Sequence, residues 1–165
     1  MWPMRRPAVN LPVRSFNAEA YDQQPEVSGI ACASVVESAA EKLVALTRRA
    51  GAELAGLRKH RDSTLVRHIY DLHEIKGRYE SADIAALAQE VMIDDAATRG
   101  QGYPAYQKDP LAETIKTIGK IASDEYFSSS YAGFTRDMVY GAAPDFATAM
   151  ATLEDLAAEL AKLPA

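Results

Sequence analysis

Residues 65–75, LVRHIYDLHEI, constrain the fold of this chain more than any other stretch. Apolar residues recur there at intervals of three or four, which places them on one face of an α-helix: Leu65, Ile69, Leu72 and Ile75. Charged residues recur at intervals of four, three and four along another face: Arg67, Asp71, Glu74 and Arg78. Because Tyr70, His68 and His73 lie in the same stretch, this helix is the first candidate for a functional site.

Helical patterns continue through most of the chain. Ser34 and Glu37 form a capping-box pattern that opens a helix ending near Gly51, and Asp62 or Ser63 is expected to cap the next one. A third helix is predicted from a cap at Ser81 or Asp83 up to residue 100, and residues 100–108 are predicted to form a loop. The remaining helices are predicted after the cap Asp109, at residues 111–122, 124–140 and 146–163.

The first 33 residues follow a different pattern. They contain four of the eight prolines, which prevents long helices, and residues 12–16 and 27–32 are candidates for short strands. We therefore predict a mainly α protein with one or two short β-strands near the N-terminus. The predicted division is an irregular segment at residues 1–33 and a helical, bundle-like domain at residues 34–163.

Composition excludes several classes of protein. A chain of 165 residues with 48% hydrophobic residues can form one domain with a core, and its net charge of −5 argues against coating nucleic acid with the whole surface. One segment is basic, however, because residues 42–61 contain six Lys or Arg against one acid, Glu53. That segment predicts either a solvated surface or a site that meets phosphate. The single cysteine, Cys32, excludes an internal disulfide and suggests the cytoplasm, and neither a membrane span nor a signal peptide is expected.

Two motifs carry a resemblance to a known family. The segment AAEKLVAL at residues 39–46, followed by LVRHIYDLHEI, resembles the AbiEii/AbiGii-type nucleotidyltransferase toxin family. In that family a helix of the pattern A-E-K-L-x-A-L precedes a basic segment and a helix of the form R-[DH]-x-Y-D-L. Residues 124–146 also look like the helical C-terminal region of the family. The resemblance, which covers about residues 26–163, implies the helical C-terminal half of an α+β, DNA polymerase β-like nucleotidyltransferase, with roles in toxin–antitoxin systems and abortive infection.

The resemblance also implies site residues. Lys42 matches a helical lysine expected to contact a nucleoside triphosphate, and Asp71 matches an aspartate near the same site. Arg49 and Arg67 are expected to help bind phosphate. If the resemblance holds, the helices carrying Lys42 and Asp71 pack side by side and bring the two charges within about 4–6 Å, where opposite charges interact usefully. His68 occupies the position at which many members carry an aspartate.

One part of the family pattern is absent. The intact enzymes use Mg²⁺ and a nucleoside triphosphate, and they hold the metal with a Gly-Ser turn followed by an Asp-x-Asp pair. This chain contains no Gly-Ser dipeptide and no Asp-x-Asp, and the adjacent Asp94 and Asp95 are predicted to diverge on a helix. No metal site and no cofactor are therefore predicted for this chain alone. It is expected to be a truncated member that lacks the metal-binding half and is inactive by itself.

Two other functions are compatible with the residues. Arg67 and His73 fit the R-x₄₋₆-H pattern of HEPN-type ribonucleases, which cleave RNA without a metal. A purely structural or partner-binding helical module is the second. Zinc spacings, glycine-rich phosphate loops and G-x-S-x-G are absent.

Four partners are predicted: a second copy of the chain, an antitoxin, the missing catalytic half and RNA. The homodimer is expected to form through an apolar surface, since such surfaces are seldom left open on monomers. The candidates for this surface are residues 27–32, Val35, Val36 and Ala39.

Overall fold

The computed structural model describes residues 5–164, and within that range it contains eight α-helices and one two-stranded sheet. This confirms the predicted mainly α class with strands near the N-terminus. The elements in chain order are β1 (Val9–Val13), α1 (Phe16–Ala20), β2 (Val27–Cys32), α2 (Val35–Leu54), α3 (Val66–Glu74), α4 (Ser81–Arg99), α5 (Pro104–Lys108), α6 (Pro110–Ser123), α7 (Glu125–Met138) and α8 (Phe146–Leu160).

The two strands form an antiparallel hairpin whose connection contains α1. The register opposes Leu11 to Ile30, with an irregularity between Leu11 and Val13. Side chains alternate between the two faces of a strand, so the pairing places one set of apolar residues on the same face. That set, called the hairpin face below, comprises Val9, Leu11, Val13, Val27, Ile30 and Cys32.

Helix α2 lies at the centre of the helical domain, where it packs against α3, α4 and α6. Its buried side chains include Leu43 and Leu46, which belong to the same core cluster as Leu72 of α3 and Leu87 of α4. Helix α8 closes the domain against α3, α4 and α6. The 3.6-residue apolar periodicity visible in the sequence therefore corresponds to helix faces that are buried against one another.

Several predicted caps are confirmed. Ser34 accepts a hydrogen bond from the Glu37 backbone N–H at 3.1 Å, and Asp109 accepts one from Ala112 at 3.0 Å. Asp62 caps a short 3-10 turn, Ser63–Leu65, that leads into α3. These caps depend only on residues close in sequence, which is why they could be predicted.

The second half of the predicted capping box is wrong. The Glu37 carboxylate is buried, and its Oε1 accepts a hydrogen bond from the Arg5 backbone N–H while its Oε2 has no partner among the described residues. The backbone N–H of Arg5 thus replaces the Ser34 backbone N–H as the donor to the Glu37 carboxylate. Helix α4 starts after Glu80, which provides no side-chain cap, so neither Ser81 nor Asp83 is the cap.

Other boundaries also differ from the prediction. Residues 100–108 are a 3-10 turn followed by the short helix α5 rather than a loop. Helix α2 continues through Gly51 to Leu54, and a Cβ at Gly51 would lie 2.7 Å from the Tyr103 ring. Gly51 is therefore a close-approach position inside the helix and not its end. The predicted strand at residues 12–16 lies instead at Val9–Val13, and α7 and α8 end two and three residues earlier than predicted.

The surface predicted for a homodimer is only partly exposed. Ala39 is fully buried within the helical domain, so that part of the prediction is wrong, because Ala39 faces the core of the chain itself. Val35 and all residues of the hairpin face except the half-buried Cys32 remain exposed. Within residues 5–164, no helix is both long and apolar enough to cross a membrane.

Candidate functional site

A lysine and an aspartate meet at the surface where α2 and α3 pack together. Lys42 Nζ lies 2.5 Å from Asp71 Oδ2, and the two side chains are 33% and 36% exposed. This confirms the expected proximity of the two charges. Both groups remain accessible to solvent, so a ligand can reach them.

The neighbours of these two residues fix their position. Leu43 follows Lys42 in α2 and Leu72 follows Asp71 in α3, and both leucines are fully buried. Adjacent helical residues point about 100° apart, so burying the leucines places Lys42 and Asp71 at the rim of the helix interface. The charged pair is thus a direct consequence of how the two apolar faces pack.

His68 lies beside the pair. It lines a cavity of about 290 Å³ together with Lys42, Ser38, Glu41 and Ala45. Burial lowers the pKa of His68 from 6.5 to about 4, and the positive charges of Lys42 and then Arg67 act in the same direction. The imidazole is therefore neutral at physiological pH.

The environment of the ring also favours one tautomer of His68. Its Nδ1 is buried and has no hydrogen-bond partner among the described residues. A buried N–H without an acceptor is more costly than an unpaired lone pair. The proton is therefore favoured on Nε2, which makes His68 a neutral hydrogen-bond donor beside the Lys42 ammonium.

Arg49, another residue predicted to help bind phosphate, contacts a carboxylate of the chain. Its guanidinium forms an ion pair with Asp62, in the segment between α2 and α3. Hydrogen bonding from the Thr64 side chain, together with the charge of Arg49, lowers the pKa of Asp62, although burial opposes this shift. The positive charge of Arg49 is therefore engaged with Asp62, beside the start of α3.

Arg67 lies on the exposed side of α3 and lines a second cavity, of about 480 Å³, between the start of α3 and α7. Within residues 5–164 no ion pair is formed by Arg67, unlike Arg49. Arg67 and Asp71 are one helical turn apart, so the second cavity adjoins the Lys42–Asp71 pair.

The pair of residues required for the ribonuclease alternative is not gathered into one site. His73 Nδ1 lies 3.0 Å from the Oγ1 of Thr152, a buried residue of α8, whereas Arg67 faces α7. His73 is thus a residue of the α3–α8 interface. Among residues 5–164 no observation supports HEPN-type chemistry.

The basic segment at residues 42–61 is not one continuous patch. Arg48 pairs with the buried Asp95 at 2.7 Å, and Arg61 donates to both carboxylate oxygens of Asp124. The Arg61 guanidinium also lies 4.0 Å from the ring centroid of Tyr126, in a cation–π contact. Sequence reasoning did not identify these ion-pair partners, since they lie 47 and 63 residues away.

Magnesium does not fit the residues at this site. Across residues 5–164 there is no group of three or more His, Cys, Asp or Glu side chains placed to hold a metal ion. The Asp71 carboxylate is engaged with Lys42, and Asp94 and Asp95 have separate arginine partners, Arg5 and Arg48. Neither Asp71 nor the adjacent Asp94 and Asp95 therefore form the free carboxylate pair that magnesium-dependent transfer requires.

The geometry by itself shows a helical domain with an exposed lysine–aspartate pair beside an open cavity. The family is more specific. Residues 3–152 match the family model described as nucleotidyl transferase AbiEii toxin, type IV TA system, and the chain belongs to that family. It is therefore a member of a nucleotidyltransferase toxin family from toxin–antitoxin systems. No curated protein and no solved structure matches the chain.

Proposed function

We propose that this chain is the nucleotide-binding helical part of an AbiEii-type nucleotidyltransferase. Lys42 contacts the phosphates of a nucleoside triphosphate, and Asp71 positions the lysine. The observation that carries this proposal is the 2.5 Å contact between Lys42 Nζ and Asp71 Oδ2 at the exposed rim of α2 and α3. Phosphoryl transfer depends mainly on positioning and charge neutralisation, which is what such a pair supplies.

Each side chain has a distinct part in the proposed site. The Lys42 ammonium is a compact positive charge suited to a phosphate oxygen. Asp71 limits the rotamers of that long side chain, and His68 offers a neutral donor from the same cavity. Arg67 adds positive charge one turn from Asp71, whereas the charge of Arg49 is partly neutralised by Asp62.

We further propose that the chain transfers no nucleotide by itself. The Gly-Ser turn and the Asp-x-Asp pair do not occur in the 165 residues, and the described part holds no group of three or more side chains placed to bind a metal ion. The metal-binding carboxylates would then come from a half of the transferase that lies outside these residues. Magnesium and the chemical step belong to that assembled enzyme.

The proposed partners follow from the same reasoning. The exposed hairpin face is a suitable docking surface for the missing half, because apolar strands without a covering layer favour pairing with another chain. A second copy of this chain is the competing occupant, and RNA is the proposed acceptor class. We place the protein in the cytoplasm, as the single cysteine suggests, with a role in abortive infection.

A binding experiment tests the lysine–aspartate site. The affinity of the purified chain for each of the four nucleoside triphosphates is measured by isothermal titration calorimetry, and Lys42→Ala is expected to weaken it about tenfold or more. A hydrogen bond to a charged group contributes about 1.5–3 kcal/mol, and about 1.4 kcal/mol corresponds to tenfold. The variant is expected to fold, since exposed ion pairs contribute at most about 1 kcal/mol.

Lys76→Ala is the matched control. Lys76, in the turn after α3, forms another ion pair, with Asp155 of α8 at 2.8 Å, and it is more exposed than Lys42. Its loss is expected to leave triphosphate affinity unchanged. Equal weakening by both variants would reduce the effect to general electrostatics and exclude a specific site at Lys42.

A transfer assay tests the proposed inactivity. With labelled nucleoside triphosphate, RNA and either Mg²⁺ or Mn²⁺, the chain alone is expected to give no incorporation. Incorporation that disappears in Asp71→Asn would show that this chain is a complete catalyst. RNA cleavage in EDTA, lost in His73→Ala, would instead support the ribonuclease alternative.

A further inference from the structure

An acidic groove runs between α2 and α4, which pack against each other. The two helix segments that form it, residues 34–41 and 81–98, contain six acids and no Lys or Arg. Asp95 is neutralised by Arg48 and Arg99, so five acids remain. Each of the five contacts Arg5 or Arg6, or lines a cavity together with one of them: Glu37, Glu41, Asp83, Glu90 and Asp94. Because two arginines face five acids, the acidic groove keeps a surplus of negative charge.

Two adjacent arginines of the N-terminal segment lie in this groove. The Arg5 guanidinium donates to the Asp94 carboxylate, and the Arg6 guanidinium donates to Glu90 Oε1 at 3.2 Å. Glu90 and Asp94 are four residues apart, so they lie on the same face of α4. The backbone N–H of Arg5 is bound separately, by Glu37 Oε1 of α2. The groove therefore holds a pair of arginines from both of its walls.

The Glu37 carboxylate is only partly satisfied by this segment. The residue is 2% exposed, and its Oε2 has no hydrogen-bond partner within residues 5–164. Leaving a buried carboxylate oxygen unpaired is costly, and charged groups raise that cost. A ligand with more than one N–H donor at the position of the Arg5 amide would therefore bind Glu37 better than the described segment does.

The segment is also held by contacts that another chain can replace. Its ion pairs lie at the surface, where such pairs are weak, and the Arg6 side chain is 45% exposed. Cavities flank the two arginines, one of about 140 Å³ beside Arg5 and one of about 260 Å³ beside Arg6. Valines line both cavities: Val44 and Val91 the first and Val36 the second. The groove thus has room for the side chains that accompany an arginine pair.

We propose that the acidic groove is a docking site for a protein segment that carries two adjacent arginines. The chain's own Arg5 and Arg6 occupy the site until a basic segment of a partner protein displaces them. Charge complementarity supports this occupant, because the groove remains acidic with Arg5 and Arg6 in place. Guanidinium groups suit carboxylates better than ammonium groups do, since their planar donors match the two carboxylate oxygens.

Peptide binding to a chain with an open groove tests the site. The full chain carrying Arg5→Ala and Arg6→Ala is titrated against a labelled, acetylated peptide with the sequence of residues 5–9, RRPAV, by fluorescence anisotropy. The peptide is expected to bind this double variant at least tenfold more tightly than the unmodified chain, whose own segment fills the groove. Equal or undetectable binding to both chains would overturn the proposal.

Two matched controls separate a built site from general electrostatics. Added to the double variant, Glu90→Gln with Asp94→Asn is expected to weaken binding about tenfold or more, since hydrogen bonds between charged groups are strong. Asp155→Asn is the control, because Asp155 is an exposed acid that also forms one ion pair, with Lys76. The peptide KKPAV, which has the same charge, is expected to bind several-fold more weakly than RRPAV. Equal effects of the acids, or equal affinity of the two peptides, would reduce the interaction to net charge.

The unpaired oxygen of Glu37 gives a separate prediction. A peptide RRPAV without the acetyl group presents an ammonium with three N–H donors in place of one amide N–H. It is expected to bind the double variant several-fold more tightly than the acetylated peptide, and Glu37→Gln is expected to remove most of that difference. A difference of the same size in Glu37→Gln would show that Glu37 takes no part in recognition.

The last measurement tests displacement in the unmodified chain. A tethered segment has an effective concentration on the order of millimolar, so the unacetylated peptide is added to about ten times that level. The NMR signals of Arg5, Arg6 and residues 9–13 are then expected to shift as the segment leaves the groove. Binding to the double variant without any displacement in the unmodified chain would mean that the segment is a fixed anchor, and the partner would be excluded. No triphosphate enters these titrations, so their outcome is independent of the site at Lys42.

Discussion

The N-terminal hairpin and the helical domain place their apolar side chains in opposite environments. Val9, Leu11, Val13, Val27 and Ile30 of the hairpin face are each 41–48% exposed, and Phe16 in the connection is 90% exposed. In the helical domain, Leu43, Leu87 and Phe127 are completely buried. Both regions contain ordinary apolar residues, so composition does not explain the difference.

The number of packed layers in each region explains the difference in burial. The helices from α2 to α8 pack against one another and bury their apolar side chains between them. A two-stranded sheet has no second layer of its own and is marginally stable in isolation. Before the hairpin, the Arg5 backbone N–H donates to the Glu37 carboxylate of α2, whereas the apolar residues of the hairpin itself are exposed. The helical domain is therefore expected to contribute most of the free energy of unfolding, and the hairpin presents the exposed apolar surface.

The largest expected effect is on stability. Leu87→Ala, in the core of the helical domain, is expected to lower the free energy of unfolding by about 2–5 kcal/mol. Leu11→Ala, on the hairpin face, is expected to cost less than about 1 kcal/mol, since Leu11 is 48% exposed. Urea denaturation measures both. If the two losses were similar, the hairpin face would be buried in solution and the contrast between the regions would fail.

A smaller effect concerns pH and sharpens the description of the helical domain. The pKa of His68 is about 4 in the folded chain and 6.5 without burial, so between these values the unfolded chain binds more protons. Stability is therefore expected to fall as the pH falls from 6.5 towards 4. Allowing for partial solvent screening, His68 is expected to account for about 1 kcal/mol of this loss by about pH 5.

The control for this prediction is His68→Gln, which keeps polar character without the titration. The difference in thermal midpoint between the unmodified chain and His68→Gln is measured at about pH 7 and about pH 5, on either side of the ordinary histidine pKa. The unmodified chain is expected to lose more on acidification, because the variant has no imidazole to protonate on unfolding. A difference that is the same at both pH values would mean that His68 is hydrated and titrates normally.

The last prediction concerns self-association through the hairpin and involves little change in stability. If a second copy covers the hairpin face, light scattering at micromolar concentrations is expected to give a dimer mass, and Ile30→Arg is expected to reduce it to the monomer. Ile93→Arg is the control, since Ile93 is 60% exposed but lies on α4. A monomer mass for the unmodified chain throughout that concentration range would exclude a second copy as the occupant of the hairpin face.

The sequence by itself determined the features that depend on near neighbours. Helix positions follow from apolar residues three and four apart, and the caps at Ser34, Asp62 and Asp109 follow from bonds to residues two or three positions away. The motifs around Lys42 and Asp71 were sufficient to indicate the family, which the match over residues 3–152 confirms. The proximity of these two charges followed from that resemblance, not from their spacing of 29 residues.

Only the tertiary structure decided which distant groups meet. Glu37 binds the N-terminal segment instead of its own helix, and Arg49 pairs with Asp62. The second cavity is lined by Arg67 of α3 and Phe134 of α7, and their 67-residue separation leaves no periodic signal in the sequence. Ion pairs and cavities depend on the crossing of helices, and the crossing is set by many core contacts acting together. For that reason the helices were predictable one at a time, whereas the cavity between α3 and α7 was not.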